Sequence, residues 1–157
     1  MAALRVGADD GYHAGVRGSP AVMSEHPTVS MLAERVDVWL PERRVEAQFV
    51  FRNHGPDTTV RMAFPEEAYI DGTLDGRADS QLDYFRTWVD GVRVPTSIER
   101  DPSNGGQFRL LWHTKRVHFR RGQTRTVVDH YRGGKQGTSD GRRHFNYILW
   151  TGGSWRG

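Results

Sequence analysis

Apolar and polar residues alternate along most of the chain from about Val29 onward. The clearest run has an apolar residue at every second position: Val45, Ala47, Phe49 and Phe51. A period of two is typical of a half-buried β-strand, because successive side chains of a strand point to opposite faces. The alternation returns at Val60, Met62 and Phe64 and ends at Pro65, which cannot donate a hydrogen bond to a strand ladder.

The segment RNHGPD between these two runs carries the residues of a turn. Asn53 can bond its own backbone, Gly55 tolerates a positive φ, and Pro56 presets the φ of a turn. We therefore expect residues 45–52 and 58–64 to form an antiparallel hairpin in one sheet. The core is then expected to contain Phe49, Phe51, Met62 and Phe64.

Two further hairpins are predicted downstream. In LDYFRTWVDGVRVP, Asp90-Gly91 is the residue pair of a type I′ turn and lies between Val89 and Val92. The strands FRLLWHTKRVHF and TRTVVDHY are joined by the short segment RRGQ, and a glycine-rich loop and a last strand, HFNYILW, follow. The pattern predicts an all-β fold, an antiparallel β-sandwich of about eight strands.

The predicted organisation is a flexible, glycine-rich arm over residues 1–27 and a β-sandwich domain over residues 28–157. The C-terminal stretch FNYILWTGGSWRG reads as a strand and a turn leading into further chain, so we expect the domain to be incomplete there. The first residues lack the apolar core, about 7–15 residues long, of a signal peptide. No run approaches the about 18 apolar residues that a membrane helix needs.

Composition and motifs exclude several kinds of site. The chain has no cysteine, which excludes disulfides, zinc–thiolate sites and a cysteine nucleophile. It contains no H-E-x-x-H, and its glycine-rich stretches lack the strand-to-helix context of a phosphate-binding loop. We therefore expect no enzymatic activity and no cofactor.

Charge is divided unevenly along the chain. Residues 1–100 contain 11 Lys and Arg against 16 Asp and Glu, whereas residues 101–157 contain 11 against 3. Basic and aromatic residues are interleaved over residues 115–135, an arrangement that nucleic-acid-binding domains use. On alternating strands, however, these basic side chains divide between the two faces of a sheet. The uneven charge along the chain is also explained if acidic and basic strands neutralise each other within one fold.

Two histidines are candidates for a metal site. If RRGQ closes a hairpin with Phe119 opposite Thr124, His113 faces His130, and two imidazoles across a strand pair can bind a metal ion. A bulged turn shifts the register by one residue and places Asp129 opposite His113 instead. No third ligand is identifiable, so we assign no metal and interpret both as half-exposed strand histidines.

Four carboxylates recur every fourth residue in an acidic segment: Asp71, Asp75, Asp79 and Asp83. A calcium loop of the EF-hand type needs ligands at alternate positions, a glycine at the bend and a final glutamate, and this spacing differs. We interpret the segment as an exposed acidic loop, with weak calcium binding as the alternative.

The tryptophans Trp39, Trp88, Trp112, Trp150 and Trp155 are interpreted mainly as core or sheet residues, with a sugar-stacking platform as the alternative. The candidate binding surface combines aromatic, histidine and arginine residues: Trp112, His113, Arg116, Arg125, His130 and Tyr131. A sugar-binding module requires at least two tryptophan rings that are exposed and coplanar. A nucleic-acid binder requires its basic side chains on one face. A hydrolase requires a cleft that holds His113 or His130 beside a carboxylate.

Three stretches taken in order resemble a known family. They are VEAQFVFRNHGPDTTVRMAFPE, DYFRTWVDGVRV and the closing FNYILWTGGSW. Over residues 28–157 they resemble the bacterial domain of unknown function 4424 family. Its Y-x-L-x-T-G-x-x-W stretch corresponds to Tyr147, Leu149, Thr151, Gly152 and Trp155. A fainter likeness is to the vault and inter-alpha-trypsin type domain, also a β-sandwich used for interaction.

The resemblance implies an exported bacterial protein, secreted or in the cell envelope, and it brings no catalytic residues. We therefore predict a non-enzymatic β-sandwich domain with a structural or binding role, its partner a protein or glycan at the cell surface. A carbohydrate-binding module that uses exposed tryptophans is the first alternative. A nucleic-acid-binding domain that uses residues 115–135 is the second.

Overall fold

The computed structural model of the protein describes residues 11–12, 27–69, 80, 82–100 and 108–133. These residues form nine β-strands in two antiparallel sheets. The described part of the chain contains no helix, and therefore none of the length and apolarity needed to cross a membrane. The predicted fold class, an antiparallel β-sandwich, is confirmed.

One sheet has four strands in the order β1-β4-β8-β7. Its strands are β1 (Gly11–Tyr12), β4 (Thr58–Tyr69), β7 (Ser97–Arg100) and β8 (Phe108–Phe119). The other sheet has five strands in the order β2-β3-β9-β5-β6. Its strands are β2 (Val29–Trp39), β3 (Arg44–Asn53), β5 (Leu82–Val89), β6 (Val92–Val94) and β9 (Thr124–Gly133). Strand β1 lies within the predicted N-terminal arm and pairs with β4.

The two sheets face each other across a shared apolar core. Alternate side chains of β3 and β9 point inward and meet alternate side chains of β4 and β8. The largest side chains that are fully buried there are Phe49, Phe51, Met62, Leu111 and Phe119. Each stabilises the fold by about 1.5–3 kcal/mol relative to an exposed position. The core positions predicted from the alternation are confirmed: Phe49, Phe51, Met62 and Phe64.

The strands on either side of RNHGPD lie in different sheets, so the hairpin predicted there is wrong. The chain leaves β3 in the five-stranded sheet and enters β4 in the four-stranded sheet, forming an arch across the edge of the core. RRGQ forms a second arch, from β8 to β9, and the hairpin predicted there is also wrong. Alternation is consistent with both a hairpin and an arch. A strand has one buried face whether the next strand lies beside it in the same sheet or across the core in the other sheet.

Asn53 gives the physical reason for the first arch. Its buried side-chain amide donates hydrogen bonds to the carbonyl oxygens of Pro56 at 2.6 Å and Arg120 at 3.3 Å. Its Oδ1 accepts a bond from the backbone N–H of Gly55 at 3.0 Å, and its own N–H donates to the carbonyl of Gln123 at 3.0 Å. Hydrogen bonds of Asn53 therefore connect the two arches. The sequence of either loop alone does not indicate this connection.

The hairpin predicted at Asp90-Gly91 is confirmed. Asp90 and Gly91 have φ angles of 48° and 79°, as a type I′ turn requires, and Val89 pairs with Val92. The Asp90 carboxylate also accepts a bond from the backbone N–H of Thr126 at 2.8 Å, which fixes the turn against β9.

Candidate functional site

The six residues of the candidate binding surface do not lie on a common face. His113 and Tyr131 are buried between the sheets, where Tyr131 packs against Phe64. Trp112 and Arg116 lie on the opposite side of β8, and Trp112 is only 6% exposed, whereas Arg116 is exposed.

The other two residues belong to β9. The Arg125 guanidinium is bound at one end of the sandwich, where it donates to the Asp90 carboxylate and to the carbonyl of His118. His130 points away from the core on the outer face of the five-stranded sheet, with its side chain 35% exposed. The structure therefore places these six side chains in separate environments.

The predicted pairing of His113 with His130 is wrong, because β8 and β9 belong to different sheets. His113 pairs with Phe64 and Ile98, whereas His130 pairs with Glu46 and Arg86. No group of three or more His, Asp or Glu residues in the described ranges could hold a metal ion.

Most of the acidic segment lies outside the described residues, including Asp71, Asp75 and Asp79. The basic residues of the 115–135 region are divided: Lys115 points into the core, Arg116 outward from the four-stranded sheet, and Arg132 outward from the five-stranded sheet. Those that lie within residues 115–133 do not form one cationic stripe.

Two buried polar pairs occupy the space between the sheets. Lys115 Nζ lies 2.6 Å from Oδ2 of Asp129, and neither side chain is exposed. The Thr87 hydroxyl donates a hydrogen bond to the other oxygen of Asp129. Through Lys115, Asp129 and Thr87, β8 of one sheet is joined to β9 and β5 of the other.

The second pair is His113 and Glu66, whose Nε2 and Oε2 lie 2.6 Å apart. The carboxylate also accepts bonds from the Ser80 hydroxyl at 2.9 Å and from the backbone N–H of Leu82 at 3.2 Å. The Phe85 ring stacks on the His113 imidazole at 4.4 Å. Glu66 therefore anchors the start of β5, and the imidazole is enclosed rather than open to solvent.

The outward side of the five-stranded sheet, called the outer face below, carries aromatic and charged side chains in register. One row runs across four strands: Trp39, Arg44, Arg132 and Tyr84. The Arg44 guanidinium lies 4.0 Å from the centroid of the Trp39 ring, a cation–π contact. Because neighbouring strands are about 4.8 Å apart, Trp39 and Tyr84 lie about 14 Å from each other.

A second set of contacts continues along β5 and β9 on the same outer face. The rings of Trp88 and His130 have their centroids 4.6 Å apart, and Nε2 of His130 lies 2.9 Å from Oε2 of Glu46. The Arg86 guanidinium lies 4.8 Å from the centroid of the Tyr84 ring. Three partly exposed aromatic side chains, Trp39, Tyr84 and Trp88, therefore share one face with arginines and a carboxylate.

Part of this face was visible in the sequence. Tyr84, Arg86 and Trp88 alternate with the inward residues of β5, so their common side follows from the period of two. The row through Arg44 and Arg132 was not visible, because it requires the register between strands that are distant in the sequence.

No protein-family model matches the chain, and no curated protein matches it. Among solved structures it is similar to one described as a "putative nutrient binding protein" from Legionella pneumophila, with 18% sequence identity and a TM-score of 0.66. The match covers 96% of this chain and 52% of the other, so the chain spans about half the length of that neighbour. At this identity the similarity supports the fold, and the resemblance to the 4424 family stays a prediction.

Proposed function

We propose that this protein is a non-catalytic carbohydrate-binding module whose ligand lies across the outer face. The observation that carries the proposal is the presence of Trp39, Tyr84 and Trp88 on one side of one sheet. Aromatic rings provide a rigid apolar surface for the faces of sugar rings, and they combine this surface with a polar edge. The description of the structural neighbour as a nutrient-binding protein is compatible with such a role.

The polar groups of the outer face favour a saccharide over a nucleic acid. Glu46 and Asp37 lie side by side on β3 and β2, among the arginines. Carboxylates accept hydrogen bonds from sugar hydroxyls, but they repel a strand that carries a phosphate at every nucleotide. A mixture of carboxylates, arginines and aromatic rings therefore suits a hydroxyl-rich ligand.

A non-catalytic role is supported by the positions of two histidine–carboxylate pairs. The His113–Glu66 pair is enclosed between the sheets, with side-chain exposures of 3% and 5%, so a substrate does not reach it. The His130–Glu46 pair is accessible, but its imidazole packs against Trp88, which suits contact with a ligand ring. The proposal includes a location outside the cytoplasm, and this part rests on the family resemblance.

The test is binding of the full chain to an array of polysaccharides, followed by titration calorimetry on those that bind. We expect Trp88→Ala and Trp39→Ala to weaken binding at least tenfold, because truncation of a central aromatic contact costs about 2 kcal/mol. The matched control is Arg116→Ala on the outward side of the other sheet, which is expected to bind as the unmodified protein does. Thermal unfolding verifies that each variant is folded.

Two results would overturn the proposal. One is the absence of binding to every polysaccharide of the array. The other is binding that Trp88→Ala and Trp39→Ala leave unchanged, because the ligand would then lie elsewhere on the molecule.

A further inference from the structure

Three arginines lie together at one end of the outer face: Arg43, Arg44 and Arg132. Arg44 and Arg132 are direct cross-strand partners on β3 and β9. Like charges directly opposite each other destabilise a sheet, so this pair needs a counter-charge. Arg43 precedes β3 and has a φ of 55°, a conformation that residues other than glycine rarely adopt.

Asp83 is a carboxylate that contacts this cluster. Leu82 pairs with Gly133 and Tyr84 with Arg132, so Asp83 is one extra residue in β5, a bulge. Bulges re-aim a side chain, and here Oδ2 of Asp83 lies 3.6 Å from Nη2 of Arg43 and 3.4 Å from Nε of Arg132. The side chains of Asp83 and Arg132 are 44% and 46% exposed, so a ligand anion can reach them and displace or join this carboxylate.

Contacts of the surrounding backbone and rings hold the three guanidinium groups in place. Nη1 of Arg43 donates to the carbonyl of Gly133 at 2.6 Å, and the N–H of Gly133 donates to the carbonyl of Arg43 at 2.9 Å. Nε of Arg132 donates to the carbonyl of Glu42 at 3.1 Å, and the Trp39 ring supports Arg44. Because these groups are already positioned, an anion loses little binding energy in ordering them.

We propose that Arg43, Arg44 and Arg132 form a subsite for an oxyanion of the ligand, which makes the ligand an acidic saccharide. The inference rests on the proposed function and specifies its substrate class. Planar guanidinium groups match the paired oxygens of a carboxylate or a sulfate. Trp39 and Tyr84 are the two ends of the row that contains Arg44 and Arg132, so sugars next to the one that carries the anion can contact an aromatic ring at either end.

The test uses the full chain on saccharides in which each carboxylated or sulfated member is matched by its neutral backbone. We expect the acidic member to bind at least tenfold more tightly than its neutral match. Arg44→Gln combined with Arg132→Gln removes this difference, whereas Arg116→Gln, a control on the other sheet, leaves it unchanged. Arg43 is not varied, because both its side chain and its backbone carbonyl bond to Gly133. Thermal unfolding verifies that the double variant, which loses the bond from Arg132 to Glu42, is folded. Comparison of carboxylated with sulfated members identifies the oxyanion.

Other outcomes separate this inference from the proposed function. If neutral and acidic members bind equally and binding still depends on Trp88, the oxyanion subsite is wrong and the carbohydrate-binding module stands. If a single-stranded oligothymidylate binds more tightly than every saccharide and depends on Arg44 and Arg132, the acidic saccharide is wrong. If no saccharide binds in a Trp88-dependent manner, both proposals fail.

Discussion

The ammonium group of Lys115 lies 2.6 Å from the carboxylate of Asp129, and this ion pair joins the two sheets without any exposed side-chain surface. Removing two charges from water has a free-energy cost of several kcal/mol per ion, which their attraction offsets only when the geometry is good. The Thr87 hydroxyl satisfies the second carboxylate oxygen. We therefore expect the pair to add little net stability compared with two apolar side chains of similar size.

Lys115→Met is expected to destabilise the fold by about 3–5 kcal/mol, because it leaves the Asp129 carboxylate buried without its cation. Lys115→Met combined with Asp129→Leu is expected to recover most of this loss, since no uncompensated charge then remains. Urea denaturation of the two single variants and the double variant measures the coupling between the residues. Additive losses in the double variant would contradict a buried ion pair.

Asn53→Ala is expected to lower the free energy of unfolding by about 2–3 kcal/mol, because two backbone carbonyl oxygens and one N–H lose their buried partner. Asn53→Asp provides a matched control of nearly the same size. It still accepts a bond from Gly55, but it faces the carbonyls of Pro56 and Arg120 with a negative charge. We expect Asn53→Asp to be no more stable than Asn53→Ala. Unfolding at an unchanged urea concentration in Asn53→Ala would show that the arches do not depend on this side chain.

Gly55→Ala is expected to destabilise the first arch by about 1–3 kcal/mol through a steric clash. A Cβ at this position would lie 2.5 Å from Cγ2 and 2.8 Å from Cβ of Thr28. Thr28→Ser removes Cγ2, so the variant that carries both substitutions is expected to regain part of the loss. Thermal unfolding measures both effects, and the absence of any rescue would point to a cause other than this contact.

Gly91→Ala is expected to cost about 1–2 kcal/mol for a different reason. No atom lies within 4 Å of a Cβ built there, but the φ of 79° disfavours a residue with a side chain. Gly91→Asn is expected to be milder, since asparagine adopts this conformation more readily than alanine does. Equal losses for alanine and asparagine would contradict an origin in backbone conformation.

Glu66→Ala is expected to loosen the start of β5. The Leu82 amide loses one of its two acceptors and keeps the Ser80 hydroxyl. Asp83 and Tyr84, which border the proposed oxyanion subsite, follow directly in the chain. Hydrogen exchange should therefore be faster at Leu82, while the Asp90-Gly91 end of β5 stays protected. Unchanged exchange at Leu82 would show that the carboxylate does not anchor this strand.

Local sequence patterns were sufficient to predict strands, inward residues and one turn. Phe49, Phe51 and Met62 are buried because alternation specifies which side of a strand is apolar. Asp90-Gly91 was predictable because its backbone conformation is a local property of two residues.

Pairing between strands could not be predicted in the same way. The segments RNHGPD and RRGQ have the composition of hairpin turns, yet each connects the two sheets, and the bond from Asn53 to Arg120 that supports this is not local. The pairing of His113 with His130 depended on a hairpin at RRGQ, so it was wrong for the same reason. The pairing of Arg44 with Arg132 on the outer face could not be predicted, because β3 and β9 are far apart in the chain.

The two arches have a consequence for the rate at which the protein folds. Because each arch sends the chain to the opposite sheet, the central pairings join distant residues, as in Thr58 with Phe119 and Arg44 with Arg132. Only the short β2–β3, β5–β6 and β7–β8 connections are local among the described strand pairs. Such long-range pairing slows folding to about milliseconds to seconds. Since Asn53 bonds both arches, closure of one positions the other, and the sandwich is expected to assemble in a single cooperative step.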